Sequence, residues 1–166
     1  LPPARIRELE RHLLLVFTGL QRQASVVAAE QIAATPSKSR ELSVMQQLVE
    51  AALQVLCRPK VPMTDIGALL HESWELKRSL TSYISTPEID AIYTRALRAG
   101  AMGGKLLGAG MGGMFLLCVA PDKREQVQWE LTSHPDHSPL TCLPVELESA
   151  GSQIVHYQPQ AVRRAA

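Results

Sequence analysis

The sequence predicts one α+β domain, helices clustered beside a largely antiparallel sheet, and three observations carry that expectation. Residues 12–18 (HLLLVFT) and 114–120 (MFLLCVA) are short apolar runs bounded by turn residues, the signature of buried strands. The stretch between them carries four helical patterns, several with marked ends. After the second run comes one further short helix and then two β-like segments, so the helices gather beside the strands instead of alternating with them one by one.

Composition narrows the function classes. The chain has 166 residues, enough for one ordinary core, with 46% hydrophobic and 20% charged residues. Its 17 Lys and Arg balance 16 Asp and Glu, so no global field draws it to nucleic acid or to an anionic membrane, and any anion site must be local. Cys57, Cys118 and Cys142 form no CxxC pair, which argues against a disulfide framework or zinc knuckle and for a reducing, cytoplasmic location. No apolar run approaches the roughly 20 residues that a membrane-spanning helix needs. The opening at Leu1, followed by Pro2 and Pro3 without an initiator Met, leads to the expectation of a piece of a longer protein.

The elements follow in order. Residues 6–11 are mostly charged, and the first strand at 12–18 stops at Gly19. Ser25 can cap a helix through Ala34, which Pro36 helps to end. Over residues 41–56, Leu42, Met45, Val49, Ala52 and Leu56 fall on one stripe, which predicts a core-facing helix. Thr64 and Asp65 can cap the next helix, to about Thr81, with Ile66, Leu69, Leu70, Trp74, Leu76 and Leu80 on a broad apolar face. Thr86 as N-cap and Pro87 at the first helical position open a fourth helix, which Gly100 closes. A strand near 105–107, the segment GAGMGG and the strand at 114–120 come next, then a helix from Pro121 to about Ser133. Residues 140–147 and 153–157 read as two last strands, the first an edge strand because of Pro144.

The segment Gly108, Ala109, Gly110, Met111, Gly112, Gly113 formally matches GxGxxG, but that dinucleotide fingerprint opens a helix, and here a strand pattern follows. A Walker A loop is excluded because no Gly-Lys-Ser/Thr closes the segment. Two readings remain: a hairpin that needs positive φ and binds nothing, or a loop whose excess of glycine lets another group approach the backbone closely, for which exposed N–H groups and phosphate are the natural pair.

The stretch GAMGGKLLGAGMGGMFLLCVAP resembles the third motif of the GHMP kinases, the superfamily of galactokinase, homoserine kinase and mevalonate kinase. HLLLVFTGLQRQAS, LLHESWELKRSLTSYISTPEIDAIY and GSQIVHY are similar, in the same order, to its heptose 7-phosphate kinases. The resemblance implies that residues 1–166 are a GHMP kinase C-terminal domain of ferredoxin-like α+β type, an antiparallel sheet with helices mainly on one face plus added helices, and a fragment whose N-terminal half, with the nucleotide loop and catalytic base, is absent. It implies a parent enzyme that moves a phosphoryl group from ATP, with Mg2+ arriving on the nucleotide, to the anomeric hydroxyl of a heptose 7-phosphate. The partners implied are the sugar phosphate, the protein's own N-terminal kinase domain and a second copy of the chain. Met111 departs from the family's usual glycine. The rival reading is a stand-alone ferredoxin-like binding or dimerisation module without catalysis.

Three cations stand out as substrate contacts, each with a plainer alternative. Lys77 falls between Ile66 and Leu70 on the apolar face of its helix, either snorkelling to water or meeting a sugar hydroxyl or phosphate. Arg22 precedes a helix start, where an anion is favoured, or is an ordinary surface arginine. Lys105 either balances phosphate charge beside the loop or guards a strand edge. His71, Glu75 and Arg78 share the opposite face and read as solvated ion pairs. The histidines form no metal-ligand pattern, and no catalytic residue is assigned within the chain.

Overall fold

The computed structural model describes residues 1–20, 24–133 and 138–154. Four strands, β1 (Leu13–Phe17), β2 (Ala101–Leu106), β3 (Met114–Val119) and β4 (Thr141–Pro144), form one sheet in the order β2-β3-β1-β4. All three neighbouring pairs are antiparallel. Read from the other edge this is 4-1-3-2, the ferredoxin-like order, in which each crossover skips one strand. Helices α2 (Ala24–Ala34), α3 (Ser39–Cys57), α4 (Thr64–Arg78) and α5 (Pro87–Arg98) lie between β1 and β2, and α6 (Arg124–Thr132) connects β3 to β4.

The strand period of two decides the core. Leu14 faces Leu117 and Val16 faces Phe115 across β1 and β3, and all four join the larger apolar cluster with Trp74, Ile89, Tyr93, Val127 and Leu131. Leu13 and Cys118, paired one position away, point to the opposite face. There they meet Leu9, Val55, Met63 and Ile66 in a smaller cluster closed by the added helices. Trp74 meets the Phe115 ring edge-on at 5.7 Å, and the Tyr93 ring stacks on Phe115 at 5.5 Å.

Both apolar runs are strands, and Thr86 caps α5 by accepting the Ile89 N–H at 3.3 Å. Pro144 sits on β4, which among the described residues borders only β1 and is an edge. Other expectations need correction. The charged segment 6–11 lies within a helix, α1 (Pro3–His12), held by tertiary contacts: Leu9 is buried, and the buried Arg5 guanidinium donates to the carbonyls of Val55 and Val61 at 2.6 and 2.7 Å. Thr64 is the first residue of α4 and makes no capping bond, and α4 ends at Arg78. The α3 stripe faces a core only towards its C-terminal end, where Ala52 and Leu56 pack on the smaller cluster; Val55 is the one buried residue of α3 and Val49 is 57% exposed. Of the strand expected at 153–157, Gln153 and Ile154 are not in a strand, and the rest lies outside the described residues.

Candidate functional site

The glycine-rich segment joins two adjacent antiparallel strands. Leu106 pairs with Phe115, and the Leu107 N–H donates to the Met114 carbonyl at 2.8 Å, closing the base of the hairpin. No helix begins at Gly112 or Gly113, so the dinucleotide fingerprint lacks the element it requires. Met111, the family's odd residue, takes a left-handed φ of 56°.

The glycines make room, and at two of them the occupant is the chain itself. A Cβ on Gly110 would lie 2.7 Å from the Ile84 carbonyl oxygen, and one on Gly112 would lie 2.5 Å from that of Leu20. Gly110 also has a φ of +137°, which a side chain rarely tolerates. Close backbone approach, the reason inferred for the glycine excess, is therefore used at these positions to pack the loop on its own domain.

Several donors fix the loop from different elements. Lys77 Nζ donates to the Leu106 carbonyl at 3.2 Å and to that of Gly108. Gln31 Nε2 from α2 donates to the Ala109 carbonyl. The Met111 N–H donates to the Ile84 carbonyl at 2.8 Å. The Gly113 carbonyl accepts both the N–H and the hydroxyl of Thr18, each at 2.9 Å. Among the described residues the N–H groups of Ala109 and Gly110 have no hydrogen-bond partner.

The sequence-predicted cations separate. Lys77 does not snorkel: it is only 7% exposed and its ammonium sits beneath the start of the loop. Lys105 is half-buried on β2 and donates to Ser73 Oγ at 2.8 Å, with burial holding its ammonium below the ordinary lysine range. Arg22 lies outside the described residues. The polar face of α4 divides too. Arg78 pairs with Glu75 at 3.0 Å and with Asp90 at 2.9 Å as a surface network, whereas His71 Nδ1 lies 2.8 Å from the buried Tyr93 hydroxyl. That hydroxyl also accepts the Gly104 N–H at 3.1 Å, and burial pushes the Tyr93 phenol up to about 12.

Beside Lys105 an open groove of about 560 Å³ runs between α3 and α4, lined by Met45, Val49, Ala52, Leu69 and Leu70 and ending at Ser73. Met45, Val49 and Ala52 bring part of the apolar stripe of α3 to this groove. Gln31, Thr18 and Ile84 were not singled out in the sequence, because their links to the loop are tertiary and leave no local pattern. Among the described residues no group of three or more His, Cys, Asp or Glu gathers to hold a metal, and no helix is long and apolar enough to cross a membrane.

Comparison with known proteins agrees with this geometry. Residues 62–137 match the family model described as GHMP kinases C terminal. The chain is 30% identical over 130 residues to the D-glycero-alpha-D-manno-heptose 7-phosphate kinase of Campylobacter jejuni, covering 74% of the chain and 38% of that protein. It is 29% identical over 140 residues to the bifunctional fucokinase/GDP-fucose pyrophosphorylase of Arabidopsis thaliana, covering 81% of the chain and 13% of that protein. In fold it resembles the L. major mevalonate kinase solved with R-mevalonate, with a TM-score of 0.64 at 21% identity over 80% of the chain and 42% of that structure. The Methanococcus jannaschii mevalonate kinase gives a TM-score of 0.60 at 23% identity over 84% of the chain and 41% of that structure. The chain thus spans less than half the length of each of these relatives.

Proposed function

We propose that this chain, whose residues 62–137 match the C-terminal domain of the GHMP kinases, is the C-terminal part of an ATP-dependent sugar kinase that phosphorylates a heptose 7-phosphate at its anomeric hydroxyl. The nucleotide and its Mg2+ are held mainly by an N-terminal kinase domain, which is the principal partner of this one. The observation that carries the reading is the GAGMGG hairpin: a loop tied to its own domain at several points, in which the N–H groups of Ala109 and Gly110 have no partner among the described residues. Consecutive free backbone donors suit a phosphate oxygen. Similarity to sugar kinases supports the substrate class, and similarity to a heptose 7-phosphate kinase supports the particular sugar.

Phosphoryl transfer rests on positioning and charge stabilisation. In this reading residues 108–113 border the nucleotide phosphates, while Arg22 and Lys105 supply positive charge towards the phosphorylated substrate. The apolar groove between α3 and α4 supports a docking surface for the rest of the kinase, because a domain that works against another keeps a face built for burial.

Steady-state kinetics on a longer protein containing this sequence, with ATP and with heptose 7-phosphate, fucose or mevalonate, provides the test. Heptose 7-phosphate is expected to give the highest kcat/KM, and residues 1–166 alone are expected to be inactive. Preference for another acceptor overturns the substrate, and ATP-dependent phosphorylation by residues 1–166 alone overturns the half-enzyme reading. Arg22→Ala is expected to raise KM for the sugar phosphate roughly tenfold or more with little change in that for ATP.

A further inference from the structure

Lys77 and Gln31 come from separate helices and converge on consecutive carbonyls of the loop, Gly108 and Ala109. In a trans peptide the carbonyl of one residue and the N–H of the next point in opposite directions. Drawing the Gly108 carbonyl to Lys77 therefore aims the Ala109 N–H the other way, and drawing the Ala109 carbonyl to Gln31 does the same for Gly110. These are the two N–H groups that have no partner among the described residues. Lys77 also holds the carbonyl of Leu106, the last residue of β2, so one ammonium spans the exit of the strand and the entry of the loop.

We propose that Lys77 and Gln31 are positioning residues for nucleotide binding, which by anchoring the Gly108 and Ala109 carbonyls turn the next two backbone N–H groups towards a phosphate. This rests on the kinase reading above. It assigns Lys77 an action through the backbone and not by touching the sugar. A charge-assisted bond to a carbonyl is stronger than a neutral one, and removing the ammonium leaves two carbonyls without this donor, so Lys77 is the more important of the pair.

Two measurements test the proposal. Hydrogen exchange on residues 1–166 is expected to show the Met111 amide, hydrogen-bonded to Ile84, exchanging about tenfold faster in Lys77→Met, with α6 unchanged and Lys77→Arg restoring much of the protection. Leu131→Ala, a core variant elsewhere, is expected to loosen α6 without singling out the loop. In the longer protein Lys77→Met is expected to raise KM for ATP about tenfold while KM for the sugar phosphate holds. Should Lys77→Met fail to fold, Gln31→Ala carries the same two measurements with a smaller rise. Unchanged loop exchange in the folded variant overturns the clamp. Faster loop exchange with unchanged KM for ATP, or with both KM values rising together, overturns the positioning role and leaves the kinase reading intact. A longer protein that consumes no ATP overturns the kinase reading and the role with it, and the exchange result then stands as a property of the hairpin alone.

Discussion

Helix α5 sinks Ile89, Tyr93 and Ala96 into the larger core, whereas α3, 19 residues against 12, buries only Val55. Both helices carry an apolar stripe of helical period. Periodicity marks a face made for contact without naming what it contacts. For α5 the contact is the sheet, and for α3 much of the face lines an open groove against α4. The same division separates the well-supported hairpin, with its glycines filled by Ile84 and Leu20, from the groove beside it.

The sharpest way to break that comparison is to remove a side chain on which the buried region depends. Phe115 is fully buried between Trp74 and Tyr93, so Phe115→Ala is expected to cost roughly 3–5 kcal/mol in chemical denaturation. A loss below about 1 kcal/mol would mean that the larger cluster is not the stabilising centre.

Two glycines test whether the hairpin is packed or merely permissive. Gly19 has a φ of +71° with nothing within 4 Å of a built Cβ, so Gly19→Ala is expected to cost roughly 1–2 kcal/mol from backbone strain alone. Gly110→Ala meets the Ile84 backbone at 2.7 Å as well and is expected to cost roughly 1–3 kcal/mol more. Equal losses for the two variants, measured by denaturant midpoint at constant m, would show that Ile84 yields freely.

Much of this architecture was legible in the sequence because it rests on local rules. The short length of the apolar runs and the turn residues that bound them located β1 and β3, and Thr86 with Pro87 located the start of α5. Helix α1 was missed because its charged segment has no broad apolar stripe, and its anchor, Arg5, finds its carbonyl partners 50 and 56 residues away. The GAGMGG hairpin was legible as a loop between strands, but its support was not. Lys77 was picked out as a charge on an apolar face, and only the fold shows that the face continues under the loop.

Tyr93 tests the polar seam where α4, α5 and β2 meet. Tyr93→Phe leaves the buried Gly104 N–H without its acceptor and is expected to cost roughly 1–3 kcal/mol at neutral pH. The folded phenol lies at about 12 against an ordinary 10.0, so its protonated form is favoured by folding. That contribution is fully present below pH 10 and is lost as pH rises through about 12. The stability difference between the parent chain and Tyr93→Phe should therefore narrow across that window, and a constant difference would place the phenol in water.

The smallest expected effect sharpens the comparison most, because it concerns the helix whose stripe divides between the smaller core and an open groove. Val49 is 57% exposed and borders the groove, so in residues 1–166 it contributes little apolar burial. Val49→Ser is expected to leave stability within about 0.5 kcal/mol, apart from the small loss of helix propensity shared by any exposed position. Val55→Ala, two turns along the same helix but buried in the smaller cluster, should cost more than Val49→Ser in the same denaturation experiment. If the two losses were equal and large, the groove would be closed in solution and α3 would be a core helix after all. If the order holds in residues 1–166 while Val49→Ser becomes costly in the longer protein, the groove is the face that the remainder of the kinase covers.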